Sequence, residues 1–291
     1  MQVLDYVLAG SVKEVVGLLT SNNGRARILC GGTDLLVQLR ENRRRAELLI
    51  DVKNIPELTS INYDDQIGLW LGAAASCQAI CHNRFVLENY PGLVDAISLI
   101  GGMQIQYRAS VGGNLCNASP AADSIPALIV HNAGCIIVGS NGTREISVEE
   151  FCIAPGKNVL QSGEFLLAIK VPVVKENFGA HYLRFIPRNE MDIAVVGAGA
   201  SVALDEAKQK ILSARIALAA VAPTPLLVEE AGMFLAGKEI TEENIREAAR
   251  IVQATARPIS DLRGTEEYRK HLCAVFTRRA LQKAVERARA S

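Results

Sequence analysis

Gly112 and Gly113 stand side by side in Ala109-Ser-Val-Gly-Gly-Asn-Leu-Cys-Asn-Ala-Ser-Pro-Ala-Ala-Asp123. With no Cβ on either residue, a ligand can approach the backbone closely. Ser110, Asn114, Asn117, Ser119 and Asp123 add short polar side chains to a chain that is half apolar. About 80 residues earlier, Ile28-Leu-Cys-Gly-Gly-Thr-Asp-Leu-Leu36 places Gly31, Gly32, Thr33 and Asp34 between an apolar strand and a helix. Bare N–H groups and the helix dipole at such a junction favour an anion, phosphate above all. Two turns of this kind suggest two phosphates, or one diphosphate held from both sides. Turns that merely needed glycine explain the same residues, and residue type alone leaves both readings open. Gly197-x-Gly199 has a different origin. Its third position is Val202, it lies within an expected strand, and it reads as strand packing rather than a dinucleotide fingerprint.

The elements that must carry these residues alternate irregularly. Ser11 with Glu14 forms a capping box ahead of a short helix. Arg27 to Cys30 reads as a strand, Leu35 to about Asn42 as a helix, and Glu47 to Asp51 as a second strand. After Pro56 a strand is expected over Ile67 to Gly72, a helix from Ser76 to about Phe85, and another from Pro91 through Ile100. The second glycine turn follows, then a helix from Asp123 to His131 and strands over Gly134–Gly139, Arg144–Val148 and Phe165–Val171. Tyr182–Phe185, Ala194–Leu204 and Ile211–Val221 read as three antiparallel strands, followed by helices over about Leu226–Leu235, Thr241–Ala256 and Glu266–Ala288. This order is α+β rather than a regular doubly wound sheet.

Length and composition bound the rest. At 291 residues, two or three compact units are expected. Lys plus Arg equals Asp plus Glu at 31 each, which argues against nucleic-acid binding. The start Met-Gln-Val-Leu-Asp-Tyr lacks the pattern of a secretory signal, and Arg215, Pro223 and Pro225 interrupt the most apolar segment, so no membrane span is expected. Seven scattered cysteines favour reduced thiols and a cytoplasmic location.

Taken together, four stretches resemble the flavin subunit of the molybdenum hydroxylases, the family of the xanthine, aerobic carbon monoxide and nicotinate dehydrogenases. They are Gly31-Gly-Thr-Asp-Leu-Leu36, Ser110 to Asp123, Arg188-Asn-Glu-Met-Asp-Ile-Ala194 and Arg263-Gly-Thr-Glu-Glu-Tyr-Arg269. The resemblance covers essentially the whole chain. It implies a PCMH-type FAD-binding fold of two α+β subdomains, about 1–55 and 56–176. A C-terminal α+β domain over 179–291 would then close on it with a three-stranded antiparallel sheet and helices. By matching position, Ile28, Leu29, Cys30, Gly31, Gly32, Thr33, Asp34 and Leu35 would wrap the FAD diphosphate. Ser110, Gly112, Gly113 and Asn114 would hold its other side, with Ala109 and Asn117 close by. Asp123 would bond a sugar or ribityl hydroxyl, and Ile100 would lie beside the isoalloxazine ring. Leu166 and Arg184 match two further flavin-contacting positions, Arg184 in place of a common lysine. The loop from Arg188 to Asp192 would border the ring, with Met191 where xanthine dehydrogenases often carry an acidic residue.

The same resemblance implies that the molybdenum cofactor and two [2Fe–2S] clusters belong to a large and a small partner subunit. The assembly would be a dimer of heterotrimers, passing electrons through FAD to NAD⁺ or another acceptor. The residues here supply no ligand set for those metals. Cys77-x-x-x-Cys81-His82 lacks a second close cysteine pair, and no four-cysteine insertion stands between Gly134 and Gly163. No histidine occupies a position for covalent flavin attachment, so FAD would be held noncovalently. Arg278, Arg279, Lys283, Arg287 and Arg289 give the last helix a basic face, either solvated or a subunit contact. Two other functions fit parts of this pattern: a stand-alone FAD oxidoreductase and a flavin-free scaffold or assembly protein.

Overall fold

The computed structural model describes residues 4–188 and 191–291. At its start Ser11 Oγ accepts from the Glu14 N–H, and Glu14 Oε2 accepts from the Gly10 N–H. This opens α1 (Val12–Ser21). A strand not expected from the sequence, β1 (Asp5–Leu8), precedes it, and β2 (Ala26–Leu29), α2 (Leu35–Arg40) and β3 (Leu48–Asp51) follow. The strands pair in parallel in the order β1-β3-β2. The loop carrying Gly31 and Gly32 therefore leaves the carboxyl edge of the sheet, where parallel sheets gather ligands.

Next come α3 (Pro56–Thr59), β4 (Ile61–Asp64), β5 (Gly68–Gly72), α4 (Cys77–Cys81), α5 (Arg84–Asn89), α6 (Pro91–Ile97) and α7 (Met103–Gln106). They lead into α8 (Val111–Asn117), α9 (Ser124–Val130), β6 (Gly134–Gly139), β7 (Gly142–Ser147) and α10 (Val148–Phe151). The hairpin β8 (Cys152–Ala154) with β9 (Lys157–Asn158), then β10 (Phe165–Val171), completes this unit. Its sheet is antiparallel, in the order β4-β5-β10-β6-β7. Three expectations need correction. The helix from Ser76 breaks at Asn83, whose Oδ1 accepts from the Val86 N–H and starts a second helix. The helix from Pro91 stops at Ile97, leaving Ile100 on a loop. Gly112 and Gly113 sit in the first turn of α8, because Ser110 Oγ accepts from the Gly113 N–H at 3.1 Å and caps a helix that glycine alone would disfavour.

The C-terminal unit comprises β11 (Phe178–Phe185), β12 (Val196–Leu204), β13 (Ile211–Ala219), β14 (Leu226–Leu227), α11 (Glu229–Leu235), α12 (Glu242–Thr255) and α13 (Glu266–Ala290). Its strands pair antiparallel in the order β11-β12-β13-β14. The short β14 adds a fourth strand to the three expected, pairing Leu227 with Ala217 before α11 begins. Val196, Ile216, Leu218, Phe276 and Leu281 lie in a core of its own. On the basic face of the last helix, Arg287 is bonded within the chain itself. Its guanidinium donates to both Asp95 oxygens, at 2.5 and 3.0 Å, and to Ala180 O at 2.7 Å, tying α13 to α6. No helix among the described residues is long and apolar enough to cross a membrane.

His131, at the end of α9, packs between Tyr90 and Phe178, and its Nδ1 lies 2.7 Å from Ala127 O. Burial pulls its imidazole down to about 4. The folded state thus holds His131 neutral between pH 6.5 and 4, where the unfolded chain protonates it. Stability rises with pH across that window, by about 3 kcal/mol in total. His131→Leu is expected to flatten this part of the curve in urea titrations run from pH 7 to 4.5. A variant with an unchanged slope would show that another group sets the acid sensitivity.

Candidate functional site

The two glycine-bearing segments meet. A Cβ on Gly31 would lie 1.9 Å from Arg108 O, and one on Gly112 would lie 2.5 Å from Ala73 O. Both glycines are therefore required by close backbone packing, Gly31 holding the β2–α2 loop against the segment that leads into α8. Gly113 differs: a Cβ there meets only Ser110 Oγ, at 2.9 Å. Gln38 Nε2 donates to Asn117 Oδ1 at 3.0 Å and links α2 to α8 directly. Asn114 Oδ1 accepts from Ser124 Oγ at 2.7 Å, which fixes its amide against α9.

Between these segments runs a cleft of about 750 Å³. Ile28, Cys30, Gly31, Gly32, Thr33, Asp34 and Leu35 line one wall. Ala109, Ser110, Gly112, Gly113, Asn114 and Asn117 line the other, and Ile100, Asp123, Leu166 and Arg184 complete it. Leu29 is the exception. It is buried in the wall behind the cleft, where its side chain meets Gly32 instead of the opening. The backbone N–H groups of Gly31, Gly32, Thr33, Asp34 and Leu35 have no acceptor among the described residues. Such a run of bare donors forms an anion-binding concavity. Asp34 occupies the cap position of α2 without a side-chain hydrogen bond, and burial raises its carboxyl.

Asp123 also has partners within the chain. Tyr182 Oη donates to its Oδ1 at 2.7 Å, and Arg184 Nη1 donates to its Oδ2 at 2.5 Å. Burial pushes the carboxyl up to about 6 against the pull of the Arg184 charge, and the same burial drives Tyr182 well above its ordinary value. Arg184 keeps one buried donor, Nε, without a partner, on a side chain 8% exposed that lines the cleft. Gly197 belongs to this arrangement, since a Cβ there would lie 2.2 Å from Tyr182 Oη. Gly199 abuts Pro126 O, so Gly197-x-Gly199 serves packing, as the sequence reading held.

Sequence reasoning missed part of the lining. Leu99, Gly101 and Ile105 enter because the helix from Pro91 ends early. Gln161, Ser162 and Gly163 enter from the turn before β10, and Arg27 and Arg44 from the far end. Met191, Asp192 and Ile193 line the opposite end, with Asp192 paired to Arg188 at 3.2 Å. Asn189 and Glu190, in the middle of that expected flavin-side loop, lie outside the described residues. Burial pushes the Cys30 thiol up to about 11 and the Cys116 thiol well above its ordinary value, so both stay protonated. Among the described residues no three His, Cys, Asp or Glu side chains are grouped to hold a metal ion.

Fold and cleft together present one elongated cleft lined by unpartnered backbone donors, short polar side chains and a few apolar residues. Comparison with known proteins narrows the class. Residues 2–174 match the family described as FAD binding domain in molybdopterin dehydrogenase, and residues 181–284 match the CO dehydrogenase flavoprotein C-terminal domain. The carbon monoxide dehydrogenase medium chain of Afipia carboxidovorans is 32% identical over 286 residues, 98% of each chain. The xanthine dehydrogenase FAD-binding subunit of Escherichia coli O157:H7 is 30% identical over 281 residues, 96% of this chain and 95% of that one. A solved structure of carbon monoxide dehydrogenase from Hydrogenophaga pseudoflava, lacking the Mo-pyranopterin moiety of its molybdenum cofactor, superposes with TM-score 0.93. It is 29% identical and covers 98% of both chains. The chain belongs to the FAD-binding medium subunits of the xanthine and carbon monoxide dehydrogenase family, and is an FAD-containing oxidoreductase subunit.

Proposed function

We propose that this chain is the electron-transfer flavoprotein of a molybdenum hydroxylase complex. A small partner with [2Fe–2S] clusters delivers electrons, a large partner with the molybdenum cofactor oxidises the organic substrate, and NAD⁺ or another acceptor receives the electrons. The observation that carries this reading is the run of bare N–H groups from Gly31 to Leu35, in a segment that lines one cleft together with α8. That geometry suits a diphosphate approached from two sides, and the unpartnered Arg184 Nε offers one further buried donor. The bound flavin supplies the redox chemistry. The chain's own residues position it and set its surroundings: Ile28 to Leu35 and Ser110 to Asn114 grip the diphosphate, Ile100 and Leu166 supply apolar contact, and Arg184 with Asp123 adds a charged, hydrogen-bonding wall.

In the same reading the FAD-binding domain is 1–176, with subdomains about 1–55 and 56–176, and the closing domain is 179–291. The complex is a cytoplasmic dimer of heterotrimers. Gly113→Val tests the grip. Because an added Cβ meets only the Ser110 hydroxyl, the fold should hold while the larger residue crowds the cleft that Gly113 lines. FAD affinity should fall by about 100-fold or more with little change in melting temperature. Unchanged affinity would place the diphosphate elsewhere.

A further inference from the structure

A second cavity of about 670 Å³ shares Gly24 and Arg27 with the lining of the cleft. Arg25, Arg27, Arg45, Asn42 and Glu47 line it. Arg25 and Glu47 pair at 3.0 Å, which leaves the charges of Arg27 and Arg45 uncompensated within the cavity. Among the described residues no carboxylate lies within ion-pairing distance of Arg27 or Arg45. The Arg27 guanidinium is nevertheless held in place: Nη1 donates to Gly24 O at 2.6 Å and to Ala26 O at 2.8 Å. Burial, and then the charge of Arg44 on the cleft side, lowers Arg27 from its ordinary value, so the charge is being resisted from two directions. In a chain whose charges balance overall, three arginines and one carboxylate thus line this one concavity.

We infer that this arginine-lined cavity is a second anion site, built for the phosphate of a nucleotide-sized ligand and separate from the cofactor's diphosphate. The inference rests on the proposed cofactor reading only for the word separate. Arg27 sits near the start of β2 and Gly31 just past its end. Four residues of strand put them roughly 13 Å apart, too far for one diphosphate to serve both. Guanidinium groups match phosphate oxygens in planar, paired hydrogen bonds, and an anion there offsets the positive charges of Arg27 and Arg45. The cavity also falls within the usual size range of small-molecule sites.

The test is equilibrium dialysis of inorganic pyrophosphate against the full-length chain, saturated with FAD and free of it. The FAD-saturated chain is expected to bind pyrophosphate saturably, and Arg25→Gln/Arg45→Gln to weaken that binding by about tenfold or more while FAD binding is kept. Both residues are exposed, so the fold should tolerate the change. Two results would overturn the site: no saturable binding to the FAD-saturated chain, including the case where pyrophosphate binds only the free chain and FAD expels it, or binding that the double variant leaves untouched. A chain that takes up no FAD yet loses pyrophosphate binding in the double variant would count against the proposed function and in favour of this site.

Discussion

Arg184→Leu is expected to lower stability at pH 7 by about 3–5 kcal/mol, because it leaves the Asp123 carboxyl buried without its cation. Tyr182 alone would remain to bond that carboxyl. The loss should depend on pH in a definite direction. A buried acid whose folded value lies above the unfolded 3.8 binds protons more readily when folded, so its penalty falls as pH drops through the folded value. In the parent chain that window runs from about 6 down to 3.8. In the variant the upper edge moves higher, and acidification from pH 7 should recover part of the lost stability. His131 acts with the opposite sign over nearly the same range, so the comparison is made variant against parent at each pH. Denaturant titrations at pH 7 and 5.5 decide it. An Arg184→Leu chain as stable as the parent, or one further destabilised relative to the parent on acidification, would show that Asp123 is compensated in some other way.

Gly31→Ala should be the most damaging change at the cleft itself. One added methyl group meets the Arg108 carbonyl at 1.9 Å, and that carbonyl belongs to the backbone rather than to a side chain that could swing aside. The β2–α2 loop and the segment entering α8 must therefore move apart, at a cost of about 1–3 kcal/mol. They are also the two jaws of the proposed diphosphate grip, so FAD binding should fail even where the chain remains folded. The contrast with Gly113→Val is diagnostic: the first loses stability and affinity together, the second affinity alone. Equal melting temperatures for Gly31→Ala and the parent would mean that the jaws do not meet as described.

Much of this site was readable before any coordinates. The glycines, the Ser110 cap and the polar run to Asp123 are short-range signals, and they located both walls of the cleft. For two of the glycines the structure adds a reason that no ligand is needed to explain. Gly31 and Gly112 are small because backbone packs on backbone, and that depends on Arg108 and Ala73. No local pattern reveals such partners. Asp123 shows the same limit: it lines the cleft as expected of a site residue, but its partners Tyr182 and Arg184 come from a strand about 60 residues away and could not be read locally. Strand β1 was missed because Asp5–Leu8 is short and mostly exposed, and carries no alternation to read. The helix break at Asn83 was legible as an Asn cap. The apolar pattern running on through Phe85 masks that cap.

One titration tests the central claim most directly. The purified full-length chain, stripped of flavin, is titrated in parallel with FAD, FMN and riboflavin while flavin fluorescence is followed. A cleft that grips a diphosphate between Gly31–Leu35 and α8 predicts saturation by FAD at one equivalent per chain. FMN, with a single phosphate, should bind at least about 100-fold more weakly, and riboflavin more weakly still. Equal affinity for FAD and FMN, or no flavin uptake at all, would contradict the account.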